Sequence, residues 1–245
     1  MSTLNTNSTG QNGHKTYRMN AKLFGVFFVL TFLCYGIGSS MIELLVSAPD
    51  VLVQVSEHVS QLVIGAILMA VLHTVLNIML PVLMLPVLKQ HSPVLAYAYL
   101  SLAIAATITL IIGVIFLLLM IPLSANYMGV SVELSEPGNV QILDLMTQLL
   151  KQGGFYAYQI GMAIWGLGGL LLCLALFNFK QKQSLVPKWL LVWGMIGYLI
   201  FITGTLFELF GFEYGLMMSM PGGLFELFLS GWLIKKGFNQ LALVN

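Results

Sequence analysis

Long apolar runs broken by short polar stretches occupy most of this chain. A helix needs about 20 mostly apolar residues to cross the hydrocarbon of a bilayer. Six stretches meet that length: Leu23 to Val46, Val59 to Leu88, Val94 to Leu123, Phe155 to Phe179, Pro187 to Phe210 and Met217 to Ile234. Pro81 and Pro86 are expected to kink or end the second, because proline removes a helical N–H and its ring crowds the preceding turn. Ser92 and Pro93 read as N-cap and first-turn residue of the third. The pattern predicts an all-α fold, an integral membrane bundle of about six transmembrane helices over residues 22–237.

The polar breaks carry their own signals. Residues 1–21 are rich in Ser, Thr, Asn and Gly and lack the hydrophobic core of a signal peptide, so they read as a disordered tail. Residues 238–245 read as a short second tail. After Pro137, residues Ile142, Leu145, Met146 and Leu149 recur at helical spacing, opposite Gln141, Asp144, Gln148 and Lys151. This predicts an amphipathic outer-face helix between spans three and four, better suited to a lid over the bundle than to a lipid-facing role.

Composition closes off the soluble alternatives. Hydrophobic residues make up 58% of the chain and charged residues 8%, against about 25% charged in an ordinary soluble domain. Such a chain needs the lipid bilayer as its partner. A net charge of +1 gives no field for nucleic acid. The position of each charge says more. Lys15, Arg18, Lys22, Lys89, Lys180, Lys182, Lys188, Lys235 and Lys236 all fall at one end of successive spans, and of the basic residues only Lys151 falls at the other. Asp50, Glu57, Glu133, Glu136, Asp144 and Glu213 lie in the loops opposite. The positive-inside rule then orients both termini to the cytoplasm. Trp189, Trp232, Tyr97 and Tyr99 fit the cytoplasmic headgroup level, and Tyr127, Tyr156 and Tyr158 the outer one.

Ionisable groups inside spans are costly and call for an account. Glu226 lies nine residues before Lys235, about 13 Å deeper at 1.5 Å per residue. Gly222, Glu226 and Ser230 form one stripe, a small-residue face on which a neighbouring helix packs. Gly36, Ser39, Ser40 and Glu43 in span one, and Gly197, Gly204 and Glu208 in span five, read in the same way. His73 and Asn77 share a face of span two, and Tyr198 and Gln159 can also point inward.

Two functional readings are open. In the first the polar groups tie helices together, and the protein has a structural or interaction role. In the alternative, Glu226 with His73 and Asn77 serves a small transporter or channel for protons, cations or a small polar solute. Glu208, Tyr198 and Glu43 complete that candidate intramembrane set. Protease, hydrolase and P-loop motifs are absent. His14, His58, His73 and His91 fall at different depths, so no metal, cofactor or catalytic residue is assigned and catalysis is not expected. Cys34 and Cys173 read as packing residues in apolar runs. No protein partner is assigned, and a homo-oligomer is compatible with the pattern.

The C-terminal run Pro221-Gly-Gly-Leu-Phe-Glu226-Leu-Phe-Leu-Ser-Gly-Trp232-Leu-Ile-Lys-Lys-Gly237 resembles a bacterial multi-pass membrane family named as domain of unknown function 4386. Val186-Pro187 followed by Gly194 and Gly197-Tyr198 is similar to it as well, and the hydropathy layout matches from about Lys22 to Gly237. The resemblance implies a helical bundle in the bacterial inner membrane, with Glu226 and Trp232 as shared features. It implies no activity, cofactor or catalytic residue.

Overall fold

A computed structural model describes residues 6–129, 137–177 and 184–239. Glu133, Glu136, Lys180 and Lys182 lie outside the described residues. The helices are α1 (Thr6–Val46), α2 (Val51–Glu57), α3 (Val59–Ile67), α4 (His73–His91), α5 (Pro93–Leu118), α6 (Met120–Gly129), α7 (Pro137–Phe177), α8 (Lys188–Leu209) and α9 (Gly215–Lys235), with a π-helical turn at Leu68–Leu72 joining α3 to α4. No strand occurs among the described residues. Six stretches are long and apolar enough to span a membrane: Thr16–Val46, Val59–Gln90, Pro93–Met128, Gln141–Phe177, Lys188–Leu209 and Gly215–Lys235.

Several boundaries differ from the hydropathy pattern, each for a local reason. The first helix starts before Leu23, and residues assigned to the tail pack on the bundle. Ala21 is fully buried, and Asn20 Nδ2 donates to the Leu83 carbonyl at 3.2 Å. Pro81 and Pro86 do not end α4, which runs on to His91. In the third span the helix breaks at Leu119, three residues before Pro122, whose ring cannot share space with the Leu118 carbonyl. Ser92 does cap α5, accepting from Leu95 N at 3.4 Å with Pro93 at the first position.

The amphipathic segment is not a separate lid. It is the first part of α7, whose 41 residues make a rod of about 60 Å. Ile142, Leu145, Met146 and Leu149 are all exposed, so their stripe faces away from the bundle. The helix runs unbroken through Gly153-Gly154 into the span expected to start at Phe155, and these two glycines form a crossing point. The two glycines stay helical and let α5 approach, with Phe116 against Gly153 and the Gly113 backbone against Gly154.

The spans form a ring in which each packs on its sequence neighbours and α9 returns to α1. Lipid tails are as apolar as the side chains, so close backbone approach, rather than the hydrophobic effect, must hold such helices together. One such close approach, reciprocal between two glycines, joins α1 and α3. A Cβ on Gly38 would lie 2.7 Å from the Gly65 carbonyl oxygen, and one on Gly65 would lie 2.8 Å from the Gly38 carbonyl oxygen. Elsewhere in the ring, α8 ends at Leu209, and Gly211 just beyond it has a φ of 86°, which suits a residue without Cβ. Phe212 N and Gly211 N close the helix end on the carbonyls of Phe207 and Glu208.

Buried apolar side chains collect in two groups. The larger fills the basic half, around Phe24, Leu80, Met84, Leu88, Leu172, Leu176, Leu229 and Leu233. The smaller lies at the acidic end, around Ile42, Leu45, Val51, Val55, Leu62 and Met69.

Gly38→Val should lower bundle stability by about 1–3 kcal/mol through overpacking, read as a shifted midpoint in SDS-induced unfolding. Gly223→Ala, where a Cβ meets nothing within 4 Å, should leave the midpoint unchanged.

Candidate functional site

Between the two buried groups lies a cavity of about 690 Å³. One face of α1, from Phe28 to Val46, forms its longest wall. The π turn and α4 contribute Met69, His73 and Asn77, α5 contributes Leu110 to Leu117, and α7 contributes Lys151 to Trp165. From α9 only Glu226 reaches it. Glu43 and Lys151 stand at the acid-bearing end, and Glu226 and Trp165 at the other. Along α7 that separation is about 21 Å.

Glu226 is held by three helices. Gly222 sits against the Gly197 backbone and brings α9 close to α8. The same face of α9 carries Phe225, Glu226, Leu229 and Ser230, all buried. Tyr198 Oη donates to Glu226 Oε1 at 2.7 Å, and Trp165 Nε1 donates to the same oxygen at 3.1 Å. The Tyr198 ring is fixed by the bare backbone of Gly169 on α7, which it touches, and by an edge contact with Phe225 at 5.7 Å. Both donors therefore converge on one carboxyl oxygen, and neither bonds the second.

His73 begins α4 directly after the π turn. A π turn inserts an extra residue and rotates the helix beyond it, and such turns recur at functional sites. His73 is 7% exposed, and its Nδ1 has no hydrogen-bond partner within the protein. Its ring packs edge-on against Tyr35 at 5.0 Å. Asn77 lies one turn further. Its Nδ2 donates to Thr107 Oγ1 at 2.7 Å, and Thr107 in turn donates to the Ala103 carbonyl. Pro81 has no N–H to offer the Asn77 carbonyl four residues back.

The cavity therefore gathers four of the six residues singled out from the sequence: Glu226, His73, Asn77 and Glu43. Tyr198 joins through its bond to Glu226. Glu208 does not line the cavity. Its Oε1 accepts from Gly215 N at 2.6 Å and caps the first turn of α9. The stripe on α1 also works differently from its sequence reading. A Cβ on Gly36 would meet nothing within 4 Å, because this face looks into the cavity and no helix packs on it. The tight crossing falls on Gly38 instead. Glu43 is exposed and accepts from the Ser47 hydroxyl.

Some members escaped the sequence reading. Trp165 carried a usable signal, since an indole N–H deep in a span has to find an acceptor. Tyr158, expected at the outer headgroup level, stacks on Tyr35 at 5.8 Å inside the cavity, and Tyr156 is the exposed neighbour. Lys151 donates to the Val46 carbonyl at 2.7 Å and so closes the C-terminus of α1. Among the described residues no three His, Cys, Asp or Glu side chains come together as metal ligands.

Ring, spans and interior carboxylate define a multi-pass α-helical membrane protein with a polar-ended cavity. Residues 23–237 match the family described as a domain of unknown function, DUF4386, and the chain belongs to it. No curated protein and no solved structure matches the chain.

Tyr198→Phe and Trp165→Phe should each lower stability by about 1–2 kcal/mol. The double variant should lose less or more than the sum, because both donors share one oxygen. A double-mutant cycle on SDS unfolding measures the coupling, and strict additivity would contradict this geometry.

Proposed function

We propose that this protein binds a small solute inside the membrane, and that the acid-bearing end of the bundle is extracytoplasmic in a bacterial inner membrane. The observation that carries the reading is the cavity, with Glu226 and the unpartnered Nδ1 of His73 in its wall. A protein that used these groups only to tie helices together would bury them against partners. An unsatisfied buried nitrogen costs about 1–3 kcal/mol. Here it lines a space within the roughly 300–1,000 Å³ range of small-molecule sites.

The seal on the basic side gives the reading a direction. Phe24, Leu80, Leu88, Leu172, Leu176 and Leu233 are buried to about the last per cent of their surface, below the cavity floor. Glu43, Lys151 and Gln152 mark the opposite, polar mouth. Entry is therefore from the acid-bearing face. Delivery across the membrane would require the basic-side core to part, and a receptor would keep it closed.

Gly36 gives the test, because a side chain there has open space. In a Cys34→Ala background, with Cys173 fully buried, Gly36→Cys should react with a membrane-impermeant thiol reagent added to intact cells. Reaction only from the cytoplasmic face, or from neither face, would defeat the proposal.

A further inference from the structure

Resting on that solute-binding reading, we propose that the ligand is an organic ammonium ion bearing an apolar group of about the size of an aromatic ring. Three independent features of the cavity select for this chemistry.

The first is the closed end. Glu226 is 5% exposed, and among the described residues no lysine or arginine pairs with it. Its two donors both occupy Oε1, so the second oxygen is left to a cationic head group. A cationic head group there stabilises the carboxyl as an ion, since isolated charge is very costly away from water.

The second is the wall. Phe28, Phe32, Tyr35, Phe155, Tyr158 and Trp165 all line the cavity. Phe28 and Trp165 meet edge-on at 6.0 Å, next to the carboxylate that Trp165 holds. Aromatic faces attract ammonium groups, and quaternary ammonium ligands are recognised in aromatic cages of this kind. A hard metal cation is a poor fit, because it needs about six oxygen ligands to replace its water. A sugar-like solute is a poor fit too. Asn77 Nδ2 is already committed to Thr107, and most of the remaining wall offers rings and methyl groups.

The third is the mouth. Glu43 lines it, and Asp50, Glu57, Asp144 and Glu213 belong to the same end of the bundle. The lysine there, Lys151, is held to the Val46 carbonyl. Acid around a low-dielectric opening raises the local concentration of cations and repels anions.

The experiment uses the full-length Gly36→Cys, Cys34→Ala protein in liposomes and a small neutral thiol reagent. Three benzyl compounds of matched shape serve as protectants: benzyltrimethylammonium, the uncharged 2-methyl-1-phenylpropan-2-ol, and phenylmethanesulfonate. Benzyltrimethylammonium should slow modification at concentrations about tenfold or more below those at which either of the others acts. Adding Glu226→Gln should abolish that preference, and Glu226→Asp, which keeps the charge, should retain it. Equal protection by all three compounds, or by none, overturns the ammonium assignment while leaving the solute-binding reading in place. So does an unchanged preference in a folded Glu226→Gln variant. If that variant fails to fold, the comparison among the three protectants decides alone. A Gly36→Cys thiol that never reacts removes the cavity reading itself and this one with it.

Discussion

A carboxyl group among lipid-embedded helices must find hydrogen-bond donors in the protein wherever packed helices shut it off from water. The bundle is arranged around that requirement at Glu226. Tyr198 comes from α8, Trp165 from α7, and the carboxyl itself from α9, so one side chain constrains three helices. The donors are in turn placed by absences of side chain. Gly169 makes room for the Tyr198 ring, and Gly197 with Gly222 brings α8 against α9. A bulky residue at any of these positions would push a donor away from that carboxyl oxygen. The basic-side core and the cavity then share a boundary at this carboxyl, with close packing below it and open space above.

That boundary explains why the interior is packed so unevenly. On the basic side, α1 runs against α9, and Gly25 meets the Ser230 carbonyl so closely that a Cβ would lie 2.6 Å from it. Toward the acidic end α1 leans instead on α3 through Gly38 and Gly65. The face of α1 between these two crossings turns to the cavity, bearing Phe32, Tyr35, Gly36 and Ser39. Across the opening, α1 and α7 meet through rings, Phe28 with Trp165 and Tyr35 with Tyr158. Ring contacts leave gaps that backbone contacts close. The cavity is thus a consequence of where the glycines are, since they draw α1 toward its neighbours on either side and away from α7.

The architecture was largely legible because it depends on sums over long windows. Six apolar runs and a one-sided distribution of lysine predict six spans, and the described basic residues other than Lys151 do gather at one end, where Lys89 lies over the Tyr97 ring and Lys236 over that of Trp232. Short periodicities were legible where one helix settled them. Gly222, Glu226 and Ser230 face the interior as their spacing required. What failed depended on two helices at once. Gly36 and Gly38 look alike in sequence, but only the position of Gly65 makes Gly38 the crossing point. Tyr156 and Tyr158 are both plausible headgroup anchors, and the rotation of α7 sends one outward and the other inward. Glu208 and Glu226 are both acids on glycine-bearing faces. One sits in the last turn of α8 and caps the start of α9, and the other sits mid-span and borders a cavity.

The π turn was illegible for a further reason, and it bears on how the site could respond to occupancy. Nothing in Leu68-Met-Ala-Val-Leu72 departs from ordinary helix formers. The extra residue is accommodated by packing around it, with the Gly38–Gly65 crossing one turn before and the His73–Asn77 face one turn after. A π turn exchanges one hydrogen-bond register for another at little cost in bonds, so it gives α3 and α4 a joint that rotates without breaking. Rotation at that joint moves the His73 ring relative to Tyr35 while Asn77 stays tied to Thr107. His73 lines the cavity on the α4 side, and Phe28 and Trp165 line it where the basic-side core begins. Under the solute-binding reading, a change at that joint would reach the basic end through the continuous length of α4, past Pro81 and Pro86, to the Tyr17–Gln90 bond that ties α4 to α1.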